Sequence, residues 1–436
     1  MLSRIFRKVN LTLFSDWKYK FVTCDYKIVY FCAMNLKTSK DSKKVTSQLE
    51  FILLMACLMS IVALSIDTIL PALKPIGSAV GTSNANENQL LITMIFLGLG
   101  FGQLIFGPIS DSFGRKPVVY IGFIVFMLAS FLCIAASNIE VMVIGRILQG
   151  IGLSASRSIS IAMIRDRFEG DYMAKIMSFV VTIFILVPII APTLGKFLLD
   201  NYGWESIFYS QLIFGILVLI WFWKRQPETL PEAYKKKFST AIFIHGTKEF
   251  MKHKSAVIFT LISGLATGSF MVFLSTSQHI FEVQYGLVDE FPYIFGALAF
   301  SVGLATFTNG TLVVKFGMRR LVNIFVLLFS LTSLSYTILF YESLNPDIFI
   351  LICFLAVQFF SVGFLFGNVR SLAMQPLGHI AGIGAAINGF VSTIMAVPIA
   401  TFIGGFIDTT ALPLFIGFTC CGFGSLFLLL FVKKSV

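Results

Sequence analysis

Apolar residues run along most of the chain in long blocks that short polar segments separate. A helix needs about 20 apolar residues to cross the hydrocarbon core of a bilayer, and twelve blocks approach or exceed that length. Backbone groups in lipid must be hydrogen-bonded internally, so each block is predicted to be a helix. The predicted spans, numbered 1 to 12 in chain order, are 50–73, 88–109, 117–136, 140–163, 174–198, 206–223, 256–281, 291–314, 320–341, 347–369, 381–407 and 411–432.

The distribution of charge predicts how these spans are oriented. Nearly all of the 33 Lys and Arg residues fall in the two tails and in the loops on the same side as the tails, and Arg370 is placed there just after span 10. The opposite loops contain only Lys74 and Lys196 and are rich in Asp and Glu. Loops rich in Lys and Arg stay in the cytoplasm. We therefore expect a multi-pass protein of the bacterial inner membrane with both termini in the cytoplasm.

Composition agrees with a membrane protein and excludes several other classes. The chain is 57% hydrophobic and 13% charged, against about 45–50% and 25% for soluble domains. Because the net charge of +11 follows from topology, it does not indicate nucleic-acid binding. The seven cysteines show no CxxC spacing and the four histidines form no ligand cluster, so no metal site is expected. The spans contain no nucleophile–base pair, which argues against an intramembrane enzyme.

A repeated turn divides the chain into two halves. Residues 113–116 (FGRK) follow span 2, residues 316–319 (FGMR) follow span 8, and Gly107 is matched by Gly310 at the same offset. Two six-span repeats, with a binding site near the midplane between them, are a common plan for transporters. The predicted domains are a basic cytoplasmic tail 1–49, a six-helix bundle 50–223, a central cytoplasmic loop 224–255, a second bundle 256–432 and a short C-terminus 433–436. Met1 and Met34 are alternative starts.

Three charges are predicted to lie deep within spans, namely Asp67, Arg146 and Arg157. A charge at the bilayer centre costs at least about 2.5–3.5 kcal/mol, so such residues usually face a cavity or a partner. Asp67 and Arg146 lie at similar depth in spans 1 and 4, and could face one another. Arg157 follows Arg146 by eleven residues, close to three helical turns, which places both on one face of span 4, about 16 Å apart.

Asp67 is the candidate proton carrier. A dry cavity favours a protonated carboxyl and a neighbouring guanidinium favours a carboxylate, so a protein that alternates these environments can bind and release a proton. The alternative is a fixed Asp67–Arg146 ion pair that holds spans 1 and 4 together. Arg157 either attracts an anionic substrate or neutralises a cluster of carbonyl groups.

Further polar residues within apolar spans are candidates for the substrate cavity. They are Gln103, Gln149, Gln358, Asn368 and Asn388. The alternative for each is a hydrogen bond between helices, worth about 0.6 kcal/mol on average.

The segment 107–116 (GPISDSFGRK) is predicted to form a tight turn in which the glycines allow close approach. It resembles the signature loop of the major facilitator superfamily, which latches the inner face during alternating access. The resemblance implies inner-gate roles for Gly107, Asp111, Gly114, Arg115 and Lys116. It also implies two pseudo-symmetric six-helix bundles.

Two more segments resemble motifs of that superfamily. Residues 146–152 (RILQGIG) are similar to its helix-4 motif, whose arginine is implicated in proton coupling. Residues 191–195 (APTLG) are similar to its helix-5 antiporter motif, which implies that Pro188, Pro192 and Gly195 set a bend that limits leak. Lys196 departs from that motif at a position where glycine is common.

Closer similarity is to the bicyclomycin-resistance (Bcr/CflA) drug exporters. It is carried by residues 65–73 (SIDTILPAL), 164–170 (IRDRFEG), 227–230 (PETL) and 381–385 (AGIGA), and it spans about residues 50–432. This resemblance implies proton-coupled efflux of small amphipathic drugs, with Asp67 as the helix-1 acid and Arg146 as the helix-4 arginine. Arg157 departs from the family, where a small residue is usual, as do Gln278 and Gly367, where proline is common.

We therefore expect a monomeric drug:proton antiporter in the lipid bilayer, powered by the proton gradient without a bound cofactor. The first alternative is an uptake symporter for a metabolite, in which Arg157 holds an anionic group. The second is a membrane receptor or scaffold that transports nothing.

Overall fold

The computed structural model describes residues 47–82, 85–168, 170–232, 235, 240–341 and 345–432. Twelve helices in these segments are long and apolar enough to cross a membrane, so the all-α, twelve-span prediction is confirmed. Most of the predicted N-terminal tail, the short C-terminus and part of the central loop lie outside the described residues.

The first bundle contains spans 1 to 6. Span 1 has three parts, the α-helix Gln48–Asp67, a 3-10 turn Leu70–Ala72 and a short α-helix Leu73–Ala79. Spans 2 to 6 are the α-helices Ala85–Phe113, Arg115–Ile134, Ile139–Arg167, Gly170–Tyr202 and Glu205–Arg225.

The second bundle contains spans 7 to 12. Span 7 is the α-helix Lys254–Gln278, which continues as a π-helix over His279–Gln284. Span 10 is the α-helix Ile348–Met374, which continues as a 3-10 segment over Gln375–Ile380. Spans 8, 9, 11 and 12 are the α-helices Phe291–Phe316, Met318–Leu339, Ala381–Gly404 and Leu412–Leu430.

Two boundaries differ from the sequence prediction in ways that matter for function. Span 10 does not end at 369, so Arg370 lies inside the span instead of in a loop. Span 2 remains helical to Phe113, and span 3 begins at Arg115, so the turn predicted over 107–116 is confined to Gly114. In both cases the apolar block in the sequence is shorter than the helix, because polar or charged residues continue the helix beyond that block.

The central segment contains a helix that the sequence analysis did not predict. It covers Thr240–Lys252, and we call it the linker helix. Gly246 of the linker helix lies against Ile383 at the start of span 11, where an added Cβ would come within 2.8 Å of the Ile383 side chain. This helix is amphipathic and short, so it carries no long apolar block.

Glycines allow the first bundle to pack tightly around span 4. The backbone of span 2 approaches span 4 at Gly98 and Gly150, where an added Cβ would collide with the carbonyl oxygens of Ile147 and Ile95. Gly152 lies equally close to span 3, at Gly122. Small residues permit this approach between helices that lack a hydrophobic driving force in lipid.

The two bundles touch mainly through spans 2 and 11 and through spans 5 and 8. Gly389 of span 11 packs against the Gln103 side chain of span 2, and Gly296 of span 8 faces the Ile189 backbone of span 5. We call the end of the protein with Arg115 and Arg319 the basic face. The end with Glu205 and Asp408 is the acidic face.

Candidate functional site

Span 1 breaks at Asp67, which is the last residue of its long α-helix. A helix end leaves backbone carbonyls without intrahelical partners. At this break the Leu64 carbonyl accepts hydrogen bonds from the Thr68 backbone N–H at 3.2 Å and from the Thr68 hydroxyl at 2.6 Å. The Ser65 carbonyl is left for a partner outside the span.

Arg146 of span 4 supplies that partner. Its guanidinium donates to the Ser65 carbonyl from Nη1 and Nη2, at 3.2 and 3.1 Å. Its Nε donates to the Leu91 carbonyl of span 2 at 2.8 Å. Nη1 also donates to Gln149 Oε1 at 2.7 Å, and Gln149 in turn donates to the Ser130 hydroxyl of span 3. Arg146 therefore ties spans 1, 2 and 3 to span 4, and it has no exposed surface.

Asp67 does not share in this network. Its side chain is only 5% exposed, and no hydrogen bond or ion pair joins it to any described residue. The Asp67–Arg146 ion pair, which was the alternative to a proton-carrier role, is not formed in this structure, where Arg146 donates to backbone carbonyls of spans 1 and 2. An unpaired carboxyl in a buried site is rare and costly, which marks Asp67 as a functional candidate.

Spans 5 and 6 complete the surroundings of the break. Gln211 Nε2 of span 6 donates to the Thr68 hydroxyl at 3.0 Å. Gly195 of span 5 lies against the Thr68 carbonyl with no room for a Cβ. Pro188 and Pro192 both lie inside span 5, which remains one continuous helix through them. The Arg146 and Gly195 segments therefore meet at the same break, beside Asp67.

Two further arginines, Arg157 and Arg370, lie within spans. Arg157 is in span 4 and Arg370 is in span 10, and both are partly buried. The sequence analysis missed Arg370 because it placed this residue in a loop. Helix-forming residues 371–374 (SLAM) were the available sign that the helix continues.

The other predicted cavity residues mostly bond to neighbouring spans. Gln358 Nε2 donates to the Phe329 carbonyl of span 9 at 3.1 Å, and Asn388 Nδ2 donates to the Thr260 hydroxyl of span 7 at 2.7 Å. Asn368 and Asn309 exchange two hydrogen bonds between spans 10 and 8. These contacts match the alternative of hydrogen bonding between helices. Gln103 differs, since it is partly exposed and lies at the contact with span 11.

A polar network surrounds the turn on the basic face of the first bundle. The Arg115 guanidinium is buried and contacts three groups, with Nη1 at 2.6 Å from Asp111 Oδ1 and 2.7 Å from the Ser110 hydroxyl, and Nε at 2.8 Å from Asp166 Oδ2. The carboxylate of Glu228, which follows span 6, accepts hydrogen bonds from the backbone N–H groups of Arg115 and Lys116, each at 3.0 Å. Glu228 thus caps the N-terminus of span 3 from a distant part of the chain.

Two members of the predicted inner-gate motif have simpler roles. Gly114 has a φ of 105°, a conformation that favours glycine. Gly107 lies inside span 2, and nothing among the described residues comes within 4 Å of where its Cβ would be, so the expected close approach is absent there.

Three contacts between the bundles lie toward the acidic face. Gln278 Nε2 of span 7 donates to the Pro71 carbonyl of span 1 at 3.2 Å, and Gln89 Nε2 of span 2 donates to the Gly404 carbonyl of span 11 at 3.3 Å. Lys196 Nζ is 3.3 Å from Asp289 Oδ1. A cavity of about 250 Å³ lies beside these contacts and is lined by residues of spans 1, 2 and 7.

Comparisons with known proteins agree with this architecture. The family model of the Major Facilitator Superfamily matches residues 55–400. The chain is 27% identical to the multidrug resistance protein MdtL of Klebsiella pneumoniae (strain 342), over 88% of this chain and 95% of that protein. It is 28% identical to a bicyclomycin resistance protein homolog of Haemophilus influenzae, over 63% of this chain and 69% of that protein.

A solved structure shares the fold. The crystal structure of a D-xylose–proton symporter aligns with a TM-score of 0.70 and 17% sequence identity, covering 89% of this chain and 99% of that one. At this identity the likeness concerns the fold alone.

Proposed function

The chain belongs to the Major Facilitator Superfamily, and from that premise we propose that it exports small amphipathic molecules from the bacterial cytoplasm in exchange for protons. As a member of this family it is a transporter and not an enzyme. The named multidrug and bicyclomycin resistance relatives support export, and the excess of Lys and Arg on the basic face supports a cytoplasmic location for that face.

The observation that carries the proposal is the solitary carboxyl of Asp67 at the break in span 1. A buried carboxylate without a donor or a cation is costly, and the protonated carboxyl avoids that cost. Asp67 therefore holds a proton in the conformation described here. When the bundles rearrange and water or a cation reaches the carboxyl, the proton leaves.

Arg146 acts in this scheme as a positioning residue. Its bonds to the Ser65 and Leu91 carbonyls hold the end of the span 1 helix against spans 2 and 4. Ser65 lies two residues before Asp67, so any movement of span 1 that frees the Ser65 carbonyl also frees the Arg146 guanidinium near Asp67. Proton release and movement of span 1 are then linked through one side chain.

The driving force is sufficient for useful export. One charge that crosses a membrane potential of 100 mV supplies about 2.3 kcal/mol. Because about 1.4 kcal/mol corresponds to a factor of ten, this supports roughly a fifty-fold concentration ratio for exchange of one proton for one neutral molecule.

The test compares Asp67→Asn with Asp408→Asn, which removes an exposed carboxyl at the acidic face. Both variants are expressed in an exporter-deficient bacterium, and susceptibility to a panel of amphipathic drugs is measured with and without an uncoupler. We expect resistance from the wild type and from Asp408→Asn, both abolished by the uncoupler. Asp67→Asn is expected to reach the membrane in equal amount and to give no uncoupler-sensitive resistance.

Full resistance from Asp67→Asn would show that the proton is carried elsewhere. Direction is tested separately in oriented vesicles that contain the wild-type protein. Uptake of a substrate together with protons into right-side-out vesicles would replace the antiporter with a symporter.

A further inference from the structure

We propose that the cavity toward the acidic face, between spans 1, 2 and 7, is a binding site for a small neutral molecule that carries several hydroxyl groups. Spans 1 and 2 belong to the first bundle and span 7 belongs to the second, so a molecule in this cavity would contact both bundles. The proposal concerns binding alone, and it depends neither on the direction of transport nor on protons.

The size of the cavity limits the ligand to a small molecule. Its volume is about 250 Å³. Liquid water occupies about 30 Å³ per molecule, so the space equals that of about eight water molecules. A compact molecule of the size of a six-carbon polyol fits such a space.

The buried part of the lining is polar. Gln89, Ser275 and Gln278 line the cavity, and these residues are only 4%, 2% and 6% exposed. Polar groups are costly to bury unless they are hydrogen-bonded. Cavities with a polar lining hold water or a polar ligand, whereas empty cavities are apolar. The lining therefore indicates that polar molecules occupy this space.

Part of the hydrogen-bonding capacity of the lining is unused. Gln278 Nε2 donates to the Pro71 carbonyl at 3.2 Å and to Glu282 Oε2 at 2.8 Å, but no described residue donates to Gln278 Oε1. Asn88 Oδ1 accepts a hydrogen bond from the Thr82 hydroxyl at 2.7 Å, whereas Asn88 Nδ2 has no acceptor among the described residues. The lining therefore offers a ligand both an acceptor and a donor.

Three more residues add polar groups to the lining. His279 Nε2 is 2.7 Å from the Asp408 carbonyl, and because a carbonyl only accepts, Nε2 carries the hydrogen. In the neutral ring, Nδ1 is then an acceptor. At the rim, the Ser78 hydroxyl and the Lys74 ammonium group have no partner among the described residues. Donors and acceptors are therefore mixed around the cavity.

This mixture favours hydroxyl groups on the ligand. A hydroxyl group both donates and accepts, so it can pair with Gln278 Oε1, with Asn88 Nδ2 or with the Ser78 hydroxyl. A molecule with several hydroxyl groups can satisfy several lining groups at once. An apolar molecule would displace water and leave those groups without partners, at a cost of about 1–3 kcal/mol for each.

The charges in and around the cavity disfavour ions of either sign. The described lining contains Lys74 and no Asp or Glu, so a cation would meet a like charge and no carboxylate. An anion would meet two acidic residues just outside the lining. These are Glu282, which accepts from Gln278, and Asp408, whose carbonyl contacts His279. A neutral molecule avoids both penalties.

Binding would stabilise the present arrangement of the bundles at the acidic face. The Gln278–Pro71 and Gln89–Gly404 hydrogen bonds already join the two bundles beside the cavity. A ligand that contacts spans 1, 2 and 7 adds contacts across the same boundary. Because a ligand shifts a conformational equilibrium through its differential contacts with the two states, it would favour this conformation over one in which the bundles separate there.

The test measures binding by the purified full-length protein in phosphatidylcholine nanodiscs. Three probes share a six-carbon skeleton and differ in charge, since sorbitol is neutral, gluconate is an anion and glucamine is a cation. The readout is the shift in unfolding temperature with probe concentration, because a ligand that binds the folded state stabilises it.

Two variants alter the cavity, and one serves as a control. Ser78→Trp fills the rim at an exposed position, and Gln278→Met removes the amide from the buried lining. The control is Ser137→Trp, which makes the same substitution at an exposed position between spans 3 and 4, outside the cavity lining.

We expect sorbitol to stabilise the wild type and Ser137→Trp saturably, and to do so more strongly than gluconate or glucamine. Ser78→Trp and Gln278→Met should each weaken sorbitol binding at least about tenfold, equivalent to about 1.4 kcal/mol. Osmolytes also stabilise proteins because they are excluded from the surface, and this effect is shared by all the variants. Equal stabilisation of the wild type and both cavity variants would overturn the proposal. Tighter binding of either ion than of sorbitol would overturn the choice of a neutral ligand.

A second measurement uses the wild type alone and covers the case in which a variant does not fold. An N-hydroxysuccinimide ester acetylates accessible lysines, and mass spectrometry locates the products. We expect sorbitol to protect Lys74 at the rim and to leave Lys315, an exposed lysine near the end of span 8, unprotected. Equal labelling of Lys74 with and without sorbitol would contradict the site.

Discussion

The turn between spans 2 and 3 and the turn between spans 8 and 9 occupy equivalent places in the two bundles. Each is made by one glycine with positive φ, 105° at Gly114 and 77° at Gly317. Beyond the glycine they differ, because Arg115 follows the first and Met318 follows the second. Arg115 contacts Asp111 and Asp166, whereas residues 310–325, which include the second turn, contain no Asp or Glu.

The difference shows which part of the repeat is a backbone property. A single residue with positive φ reverses the chain between two helices in both bundles, and this requires only glycine. The first bundle has, in addition to this turn, a polar network that joins spans 2, 3 and 4 to the segment after span 6. The same bundle also holds Asp67. Backbone symmetry at the two turns therefore coexists with a polar network that the described residues form around the first turn alone.

The largest effect is expected when the residue after Gly114 is replaced by the residue that follows Gly317 in the second turn. Arg115→Met leaves Asp166 and Asp111 without their cation. Loss of one partner of a buried pair costs about 3–5 kcal/mol, and we expect about 3 because Asp111 is partly exposed. Denaturant titration in detergent measures the free energy of unfolding. Arg165→Met, which removes an exposed cation, should change it by less than about 0.5 kcal/mol.

The two glycines provide a matched pair. Alanine is strained in both turns, by about 1–3 kcal/mol, because both glycines combine a positive φ with an extended ψ that only glycine adopts readily. In Gly114→Ala the new Cβ would also lie 2.8 Å from Glu228 Oε2, whereas no atom of the described residues lies within 4 Å of the corresponding Cβ at Gly317. Gly114→Ala should therefore lower the unfolding temperature more than Gly317→Ala. Equal losses would show that Glu228 does not hold the first turn.

Glu228→Gln probes the cap on span 3 by itself. Two backbone N–H groups lose a charged acceptor, and loss of a cap costs about 0.5–2 kcal/mol. We expect a value near 1 kcal/mol because Glu228 is exposed. Glu232→Gln removes a neighbouring exposed carboxylate and serves as the control in the same unfolding assay. A loss as large as that of Arg115→Met would mean that Glu228 supports the turn as strongly as the arginine does.

The smallest effect is expected on the acidic face. Lys196 bridges Asp200 and Asp289, and the Asp289 side chain is 88% exposed. Exposed ion pairs contribute about 0–1 kcal/mol. Lys196→Gln should therefore unfold within 1 kcal/mol of the wild type and keep its resistance phenotype. Loss of uncoupler-sensitive resistance with normal stability would reveal a functional gate at this contact.

Much of the architecture followed from the sequence because hydrocarbon length and backbone hydrogen bonding leave few choices. Twelve apolar blocks gave twelve spans, and the repeated FG turns marked the two bundles. The linker helix Thr240–Lys252 was not predicted, because it is short and amphipathic and has no long apolar block. Arg370 was placed outside span 10 because a charge was taken as the end of the span, whereas the helix continues to Met374.

The residue types of the candidate site were visible in the sequence, but their partners were not. Equal depth in spans 1 and 4 suggested that Asp67 and Arg146 would meet, whereas the structure gives Arg146 to the Ser65 and Leu91 carbonyls. The Ser65 carbonyl is free because the helix ends beside it, and the pattern of side chains in the sequence does not predict such a backbone acceptor. The roles of these residues remain predictions for the experiments above.

The amino-acid sequence by itself determined the membrane class, the number of spans and the division into two bundles, since these depend on local hydrophobicity and on turn-forming glycines. Only the tertiary structure decided which charges are satisfied. Arg146 and Arg115 have acceptors on neighbouring spans, whereas Asp67, Arg157 and Arg370 have no side-chain partner among the described residues. That outcome depends on how helices far apart in the chain rotate against one another, and hydrophobic periodicity carries little information about it.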